Sequence, residues 1–366
     1  MKKGKVLGSL QVDVDPILAM NEPSTPSKED FVLATSQEKQ SVVELKPRMT
    51  YWQDAWRRLK QNKVAMVAMF IVIFYILFAF IGPALVPYTY KQQIRHSENL
   101  HPLEYSSDEI ALKEAGEKVF PHLFGTDDLG RDILVRIMYG TRVSMIIGVV
   151  AAFIVLIIGS IYGSVSGFIG GKTDIIMMRI VDIVYSIPEI LVVLLLQVVI
   201  QDPLKTLINK SGGGAFANLI GTLGAGLISI FITFAILYWV GMARIIRGQV
   251  LMLKQQEYIT AAKALGASNS KIIRKHLLPN CIGQIIVTTC LQIPSAIFLE
   301  SFLSFLGLGV SAPLASLGSL ASDGLGGIYS YTYRLVIPAI VLSIMILSLN
   351  LFGDGLRDAL DPRLKK

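Results

Sequence analysis

"AAKALGASNSKIIRKHLLPN" occupies residues 261–280 and interrupts a chain otherwise built from long apolar runs. Residues 242–283 carry seven Lys and Arg and one acid, a balance that does not enter a bilayer. Locally, 256–265 favours helix and Gly266 supplies a left-handed stop. Ser268, Asn269 or Ser270 can cap a second helix, "KIIRKHLL", expected to end at Pro279 because the residue before proline resists the helical conformation. Ala261, Ala262 and Ala264 give this helix–turn–helix a surface of small side chains over which another protein can pack. A DNA-reading role is excluded, since a loop tethered between two membrane spans has no room to seat a helix in a groove.

Around this stretch, the 366 residues are 52% hydrophobic and 17% charged, with a mean hydropathy of +0.56. Those values describe an all-α polytopic membrane protein rather than a globule in water. The net charge of +7 reflects orientation in the membrane, and no nucleic-acid partner is expected because no groove-reading or base-stacking motif is present. Cys281 and Cys290, nine residues apart, point to opposite sides of a helix and make no metal site. His96, His101, His122 and His276 lack ligand spacing and read as polar surface residues, so no metal is expected. Residues 1–50 read as a polar cytosolic tail, since the first twenty lack the apolar core of a secretory signal.

Six spans follow. The first, 64–86, is free of charge and long enough at ~1.5 Å per residue to cross a hydrocarbon core of ~30 Å. Further runs lie at about 143–168, 180–200, 221–241, 284–307 and 335–353. Ahead of them, 51–63 forms an interfacial elbow helix, with Trp52, Trp56 and Leu59 on one face and Arg57, Arg58, Lys60 and Lys63 around the rest, suited to membrane lipid. Bases number six at 44–63, two at 170–179, seven at 242–283 and four at 354–366, against three in the loops at 201–220 and 308–334 together. Both termini are therefore expected in the cytosol and the large loop 88–142, with seven bases and nine acids, outside.

Gly159, Gly163 and Gly167 recur every fourth residue on the second span and offer a face for close helix packing, within the subunit or across a dimer. On the third span Asp182, Tyr185, Ser186 and Glu189 follow i, i+3, i+4, i+7 beside Pro188, one polar stripe that lines a substrate path or forms a seam between subunits. Glu300 lies ~9 Å from the outer end of its span, where a structural hydrogen-bonding role is favoured. Asp127, Asp128 and Asp132 lack the spacing of a calcium loop; Ile133, Leu134, Ile137 and Met138 beside them make an amphipathic segment. "SGFIGGKT" at 166–173 misses the first glycine of a phosphate loop and follows a span instead of a strand.

Ala261-Ala262, Gly266 and Leu278-Pro279 resemble the cytosolic EAA loop of ABC importer permeases, with Thr260 where that motif has its acid, Glu257 three residues earlier, and His276 where an Ile is usual. "WRRLKQNKVAMVAM", "FGTDDLGRDILVRIMYGTRVS", "SFLSFLGLG" and "NLFGDGLRDALDPR" are similar to the C-type permease of dipeptide/oligopeptide importers, and together the matches cover roughly 52–366. The resemblance implies a type I ABC importer permease fold of six transmembrane helices, a first helix at 64–87 and a five-helix core at 143–353 containing the coupling loop 242–283. It implies that Glu257, Tyr258, Thr260, Ala261, Ala262, Gly266, Leu278 and Pro279 meet an ATPase. The implied partners are a homologous B-type permease, two cytosolic ATPases that hold ATP and Mg, an extracytoplasmic peptide-binding protein and the peptide itself. This chain then needs no cofactor and is no enzyme, and it resides in a bacterial cytoplasmic membrane. Nickel import by the same permease type is the nearest alternative substrate. A secondary transporter is a poorer match, for want of matching inverted halves, and a membrane enzyme lacks a nucleophile and base at the bilayer edge.

Overall fold

Apolar length and caps set the helices. The computed structural model describes residues 50–210, 224–310 and 314–360, without the side chains of 207–210. Residues 1–49 of the expected tail, 211–220 of the expected outer loop and the end 361–366 lie outside the described residues. The chain enters through α1 (Tyr51–Gln61), and Asn62 caps α2 (Lys63–Phe80) by accepting from the Ala65 amide at 3.1 Å. After a long segment containing α3 (Ser107–Glu114) come α4 (Ile133–Ile169), α5 (Gly171–Ser186) and α6 (Glu189–Lys210). Next is α7 (Ala225–Leu253), which carries a π-turn at Phe234–Tyr238. The remaining elements are α8 (Glu257–Ala264), α9 (Asn269–Ile272), α10 (Ile282–Phe305), α11 (Leu317–Leu325) and α12 (Tyr333–Leu360). Among the described residues the only strand-like feature is an isolated bridge between Thr126 and Asp132.

Five of these helices, α2, α4, α7, α10 and α12, are long and apolar enough to cross a membrane, and α5 with α6 makes the sixth span as a bent pair. The break corrects one expectation. Asp182, Tyr185 and Ser186 end α5, Glu189 begins α6, and the two axes turn by 87°, so the four side chains do not form one straight stripe. Ile187 is extended at φ −87°, ψ 138°, the conformation favoured for a residue before proline, and the helical ladder stops there.

A second correction concerns α4. It begins at Ile133 rather than near 143, because Asp132 caps it by accepting from the Val135 amide at 2.9 Å. Ile133, Leu134, Ile137 and Met138 are consequently buried in the bundle, so of the two settings open to this amphipathic segment, the membrane or a neighbouring helix, the second holds. In α1 the expected apolar face divides: Leu59 and Ala55 are buried against the end of α12, whereas Trp52 and Trp56 are exposed. Ala and Gly allow that seat, since a methyl on Gly355 would strike the Ala65 side chain.

The tightest packing joins α4 to α7. A Cβ on Gly159 would sit 2.6 Å from the Met242 Cβ, one on Gly163 would collide with the Ala243 carbonyl oxygen, and one on Gly167 would sit 2.9 Å from the Arg247 oxygen. The three glycines thus face a helix of the same chain, and close backbone approach replaces side-chain interdigitation. The core continues through Ile147, Val155, Ile230, Phe234, Ile246 and Val250, and a second cluster around Ile137, Ile297, Leu317 and Met345 joins α4 to α10, α11 and α12.

Candidate functional site

At one end of the bundle, α8 and α9 form a bracket held to the spans from inside and bare on its far side. Helix α8 ends in a Schellman motif: the Ala267 amide donates to the Ala262 carbonyl at 3.1 Å and the Gly266 amide to the Lys263 carbonyl at 2.9 Å. That closure needs a left-handed residue, and Gly266 has φ +78° with nothing within 4 Å of where a Cβ would be. Ser268 then caps α9, accepting from the Lys271 amide at 3.4 Å.

The bracket's inner face is Ile259, Ile272 and Leu277, each fully buried in the cluster that holds Phe168 of α4 and Val250 of α7. At ~1.5–3 kcal/mol for each such side chain, this is firm anchorage. Lys263 lies 5.0 Å over the Phe168 ring, and the Lys254 ammonium donates to the Gly167 carbonyl at 2.8 Å. The outer face is Glu257, Tyr258, Thr260, Ala261 and Ala264, all exposed, with Leu265 beside them 88% exposed. Ala262 and Leu278 are half-buried, while Gly266 and Pro279 are exposed. The Asn280 amide reaches the Tyr258 hydroxyl at 3.4 Å and ties the two limbs together.

Contrary to expectation, helix does not stop at Pro279. Residues Ile273–Leu277 form a π-turn, Leu278 stays helical at φ −57°, ψ −43°, the helix runs to Asn280, and the single turn residue Cys281 leads into α10. The wider turn accommodates a residue without an N–H, and the Cys281 amide picks up the Leu277 carbonyl at 3.1 Å.

Toward the middle of the spans lies a second group of polar residues. Asp174 receives Arg247 through two contacts of 2.6 and 2.5 Å and the Ser166 hydroxyl at 2.5 Å, and Asp182 pairs with Arg244 at 2.9 Å. Arg244 also stacks 4.4 Å over the exposed Tyr185 ring. Ser186 is exposed and donates to the Ile183 carbonyl at 2.8 Å. The junction at 166–174 joins two helices, the wrong setting for a phosphate loop. Glu189 is exposed and borders two adjoining cavities of ≈ 460 and ≈ 440 Å³, each shared with Tyr238 from the π-turn of α7. Glu300, by contrast, is fully buried and accepts from Ser144, Ser301 and Ser304 at 2.7–3.3 Å, a structural knot.

The segment between α2 and α4 is a charge-paired cap. Arg136 joins Asp127 to Asp323, Arg131 also meets Asp127, and Arg334 holds Asp128 and Asn99. These pairs occupy Asp127 and Asp128, and Asp132 is engaged as the cap of α4. His122 departs from the expected surface position: it is fully buried, with Nδ1 2.7 Å from Asp132, Nε2 3.0 Å from Glu109 and the Tyr88 ring stacked at 4.7 Å. Burial pulls its pKa down, but the Asp132 hydrogen bond and the charges of Glu109 and Asp132 outweigh that and hold it above the ordinary value. Nothing local in the residue pattern signals this clasp, or the placing of Tyr238, Gln292 and Asn350 around the cavities. Arg244 and Arg247 did carry a signal, since arginine in an apolar run demands a partner.

A bundle of spans with an anchored, outward-facing bracket at one end and two open cavities bordered by Glu189 and Tyr238 is the make-up of a membrane transport subunit. Residues 156–366 match the family described as binding-protein-dependent transport system inner membrane component, and residues 50–102 match the N-terminal TM domain of oligopeptide transport permease C. The chain is 45% identical over 337 residues to the dipeptide transport system permease protein DppC of Bacillus subtilis (strain 168), covering 92% of this chain and 93% of that protein. It is 46% identical over 321 residues to the oligopeptide transport system permease protein OppC of the same organism, covering 88% and 92%. To OppC of Haemophilus influenzae it is 37% identical over 342 residues, covering 93% and 97%. The chain belongs to the family of binding-protein-dependent transport system inner membrane components, as a permease subunit of the C type, and is a multi-pass inner membrane protein.

Proposed function

We propose that this chain is half of the translocation path of an ATP-driven peptide importer and receives mechanical work through the α8–α9 bracket. The names of its relatives, dipeptide and oligopeptide permeases, support the substrate class. The observation that carries the coupling role is the division of α8: Ile259 is fully buried among the spans while Leu265, over exposed Ala261 and Ala264, is 88% exposed. A leucine so bare on a rigid mount is a docking feature. The partners in this reading are two cytosolic ATPases, which bind ATP and Mg, a homologous B-type permease that completes the path, and an extracytoplasmic binding protein that delivers peptide. The seven bases at 242–283 support a cytosolic bracket, cytosolic termini and an outer position for 88–132.

ATP binding draws the two ATPases together and displaces the bracket. Because α9 leads into α10 through a π-turn and a single turn residue, Cys281, and Ile259, Ile272 and Leu277 are embedded against α4 and α7, the displacement reaches three spans at once. The spans then rock between inward-open and outward-open states.

Gly266→Val tests the reading. The left-handed turn costs a β-carbon-bearing residue ~1–2 kcal/mol, and no neighbouring atom stands in the way, so the lesion is confined to the bracket's angle. The expected outcome in the purified complex is normal insertion with a sharp fall in ATP hydrolysis stimulated by peptide-loaded binding protein. Full stimulation and uptake would refute the coupling role.

A further inference from the structure

The acids in and beside the spans are not alike. Asp174 holds Arg247, Asp182 holds Arg244, and Glu300 is satisfied by a ring of serines. Glu189 has no basic partner among the described residues, and it shares both cavities with Tyr238. It stands at the junction of the two cavities, whose polar lining comprises Tyr185, Gln292, Ser295 and Asn350 besides Tyr238 and itself. Asn350 commits its amide N–H to the Ile346 carbonyl at 3.0 Å, which leaves its oxygen as an acceptor. The wall therefore combines the Glu189 carboxyl group with neutral acceptors; no Lys or Arg lines it, and Arg244, stacked over the Tyr185 ring, is committed to Asp182.

Depth sharpens the point. Pro294, on the wall, is about twelve residues into α10, and Tyr238 about thirteen into α7, so both lie ~18–20 Å from one end of their spans in a hydrocarbon layer of ~30 Å. A carboxylate at such depth is costly unless water or a cation meets it. The chain supplies cations to Asp174 and Asp182 and withholds one here, where the cavity is open.

We propose that Glu189, with Tyr238 and the Asn350 oxygen, forms a subsite for a primary ammonium group of the substrate in transit. The inference rests on the peptide reading above, and the ammonium is either the peptide's free amino terminus or a lysine side chain. The group presents three N–H donors to the carboxylate and the neutral acceptors around it. The subsite lies within the permease and acts after the binding protein has released its load.

The test uses the complete complex in proteoliposomes, with two equal-length peptides that load the binding protein equally, both with free amino termini and one also carrying lysine. Glu189→Gln keeps the side chain's size but removes the charge. Uptake should fall at least tenfold, about 1.4 kcal/mol. The loss falls on both peptides if the amino terminus is the ligand, and on the lysine peptide alone if the side chain is. Glu189→Asp should recover most of the lost uptake, while the yield of assembled complex stays near the unaltered level in both variants. Three results would overturn the assignment: unaltered uptake in Glu189→Gln, equal impairment in Glu189→Asp, or uptake lost only in step with assembled complex, which marks a seam with the partner permease. Import of neither peptide by the unaltered complex would instead remove the peptide reading itself.

Discussion

Leu265→Ser separates docking from folding. Leu265 is 88% exposed and closes α8 with right-handed backbone angles, φ −80°, ψ 8°, which serine adopts without strain. Its removal takes almost no contact from the permease, so the fold should lose no more than ~0.5 kcal/mol. If an ATPase buries this side chain, the interface loses ~2 kcal/mol of apolar burial, roughly a thirtyfold rise in Kd. Ile272→Ala is the converse, since Ile272 is fully buried under the bracket and its truncation costs the fold ~2–5 kcal/mol. The measurements are titration of purified ATPase against the permease pair in nanodiscs and thermal unfolding of each variant. The expected pattern is weak docking with normal melting for Leu265→Ser, and early melting for Ile272→Ala. ATPase affinity within twofold of the unaltered protein in Leu265→Ser would refute the docking face.

Orientation is checked with single cysteines at Ser107 and Ser270, both exposed, after replacement of Cys281 and Cys290; Ser268 is avoided because it caps α9. An impermeant thiol reagent should label position 107 on intact cells and position 270 only after permeabilisation, and labelling of both from outside would overturn the topology. A pH dependence follows from His122. Its folded pKa lies above the unfolded value near 6.5, so its contribution is full below that pH and disappears as pH rises through the folded pKa. Hydrogen exchange across 97–132 should therefore quicken from pH 5.5 to pH 8.5 beyond the intrinsic change in exchange rate, and His122→Gln should flatten the difference. Tyr88, also raised, stays neutral throughout this window, and Asp127 is charged across it; burial works against that charge, but Arg136 and Arg131 hold its pKa below the ordinary value.

The spans were legible because a helix crossing hydrocarbon must be apolar over its whole length, a property of composition alone. The Gly266 turn was legible too, because a left-handed stop followed by Ser268 leaves few backbone routes. Continuity was not. Pro188 and Pro279 look alike in sequence, yet the chain breaks by 87° at the first and runs on through a π-turn at the second. Which occurs depends on what packs around the residue: Leu277 is fully buried beside the core, whereas Ile187 and Pro188 are exposed. Charge was legible as a count and illegible as pairing. Arg244 and Arg247 entered the reckoning as markers of sidedness, but their partners Asp182 and Asp174 are brought to them only by the close approach of α4, α5 and α7. The seven bases and nine acids of 88–142 likewise gave a near-neutral loop and concealed the clasp at His122.

The Schellman closure of α8 is made by backbone amides and carbonyls, and the bracket's anchorage is made by Ile259, Ile272 and Leu277. The residues that look outward therefore contribute little to the shape that displays them. On the proposed docking role, structural duty and recognition fall on different positions of the bracket, so the outer face can be rewritten while the mount stays the same.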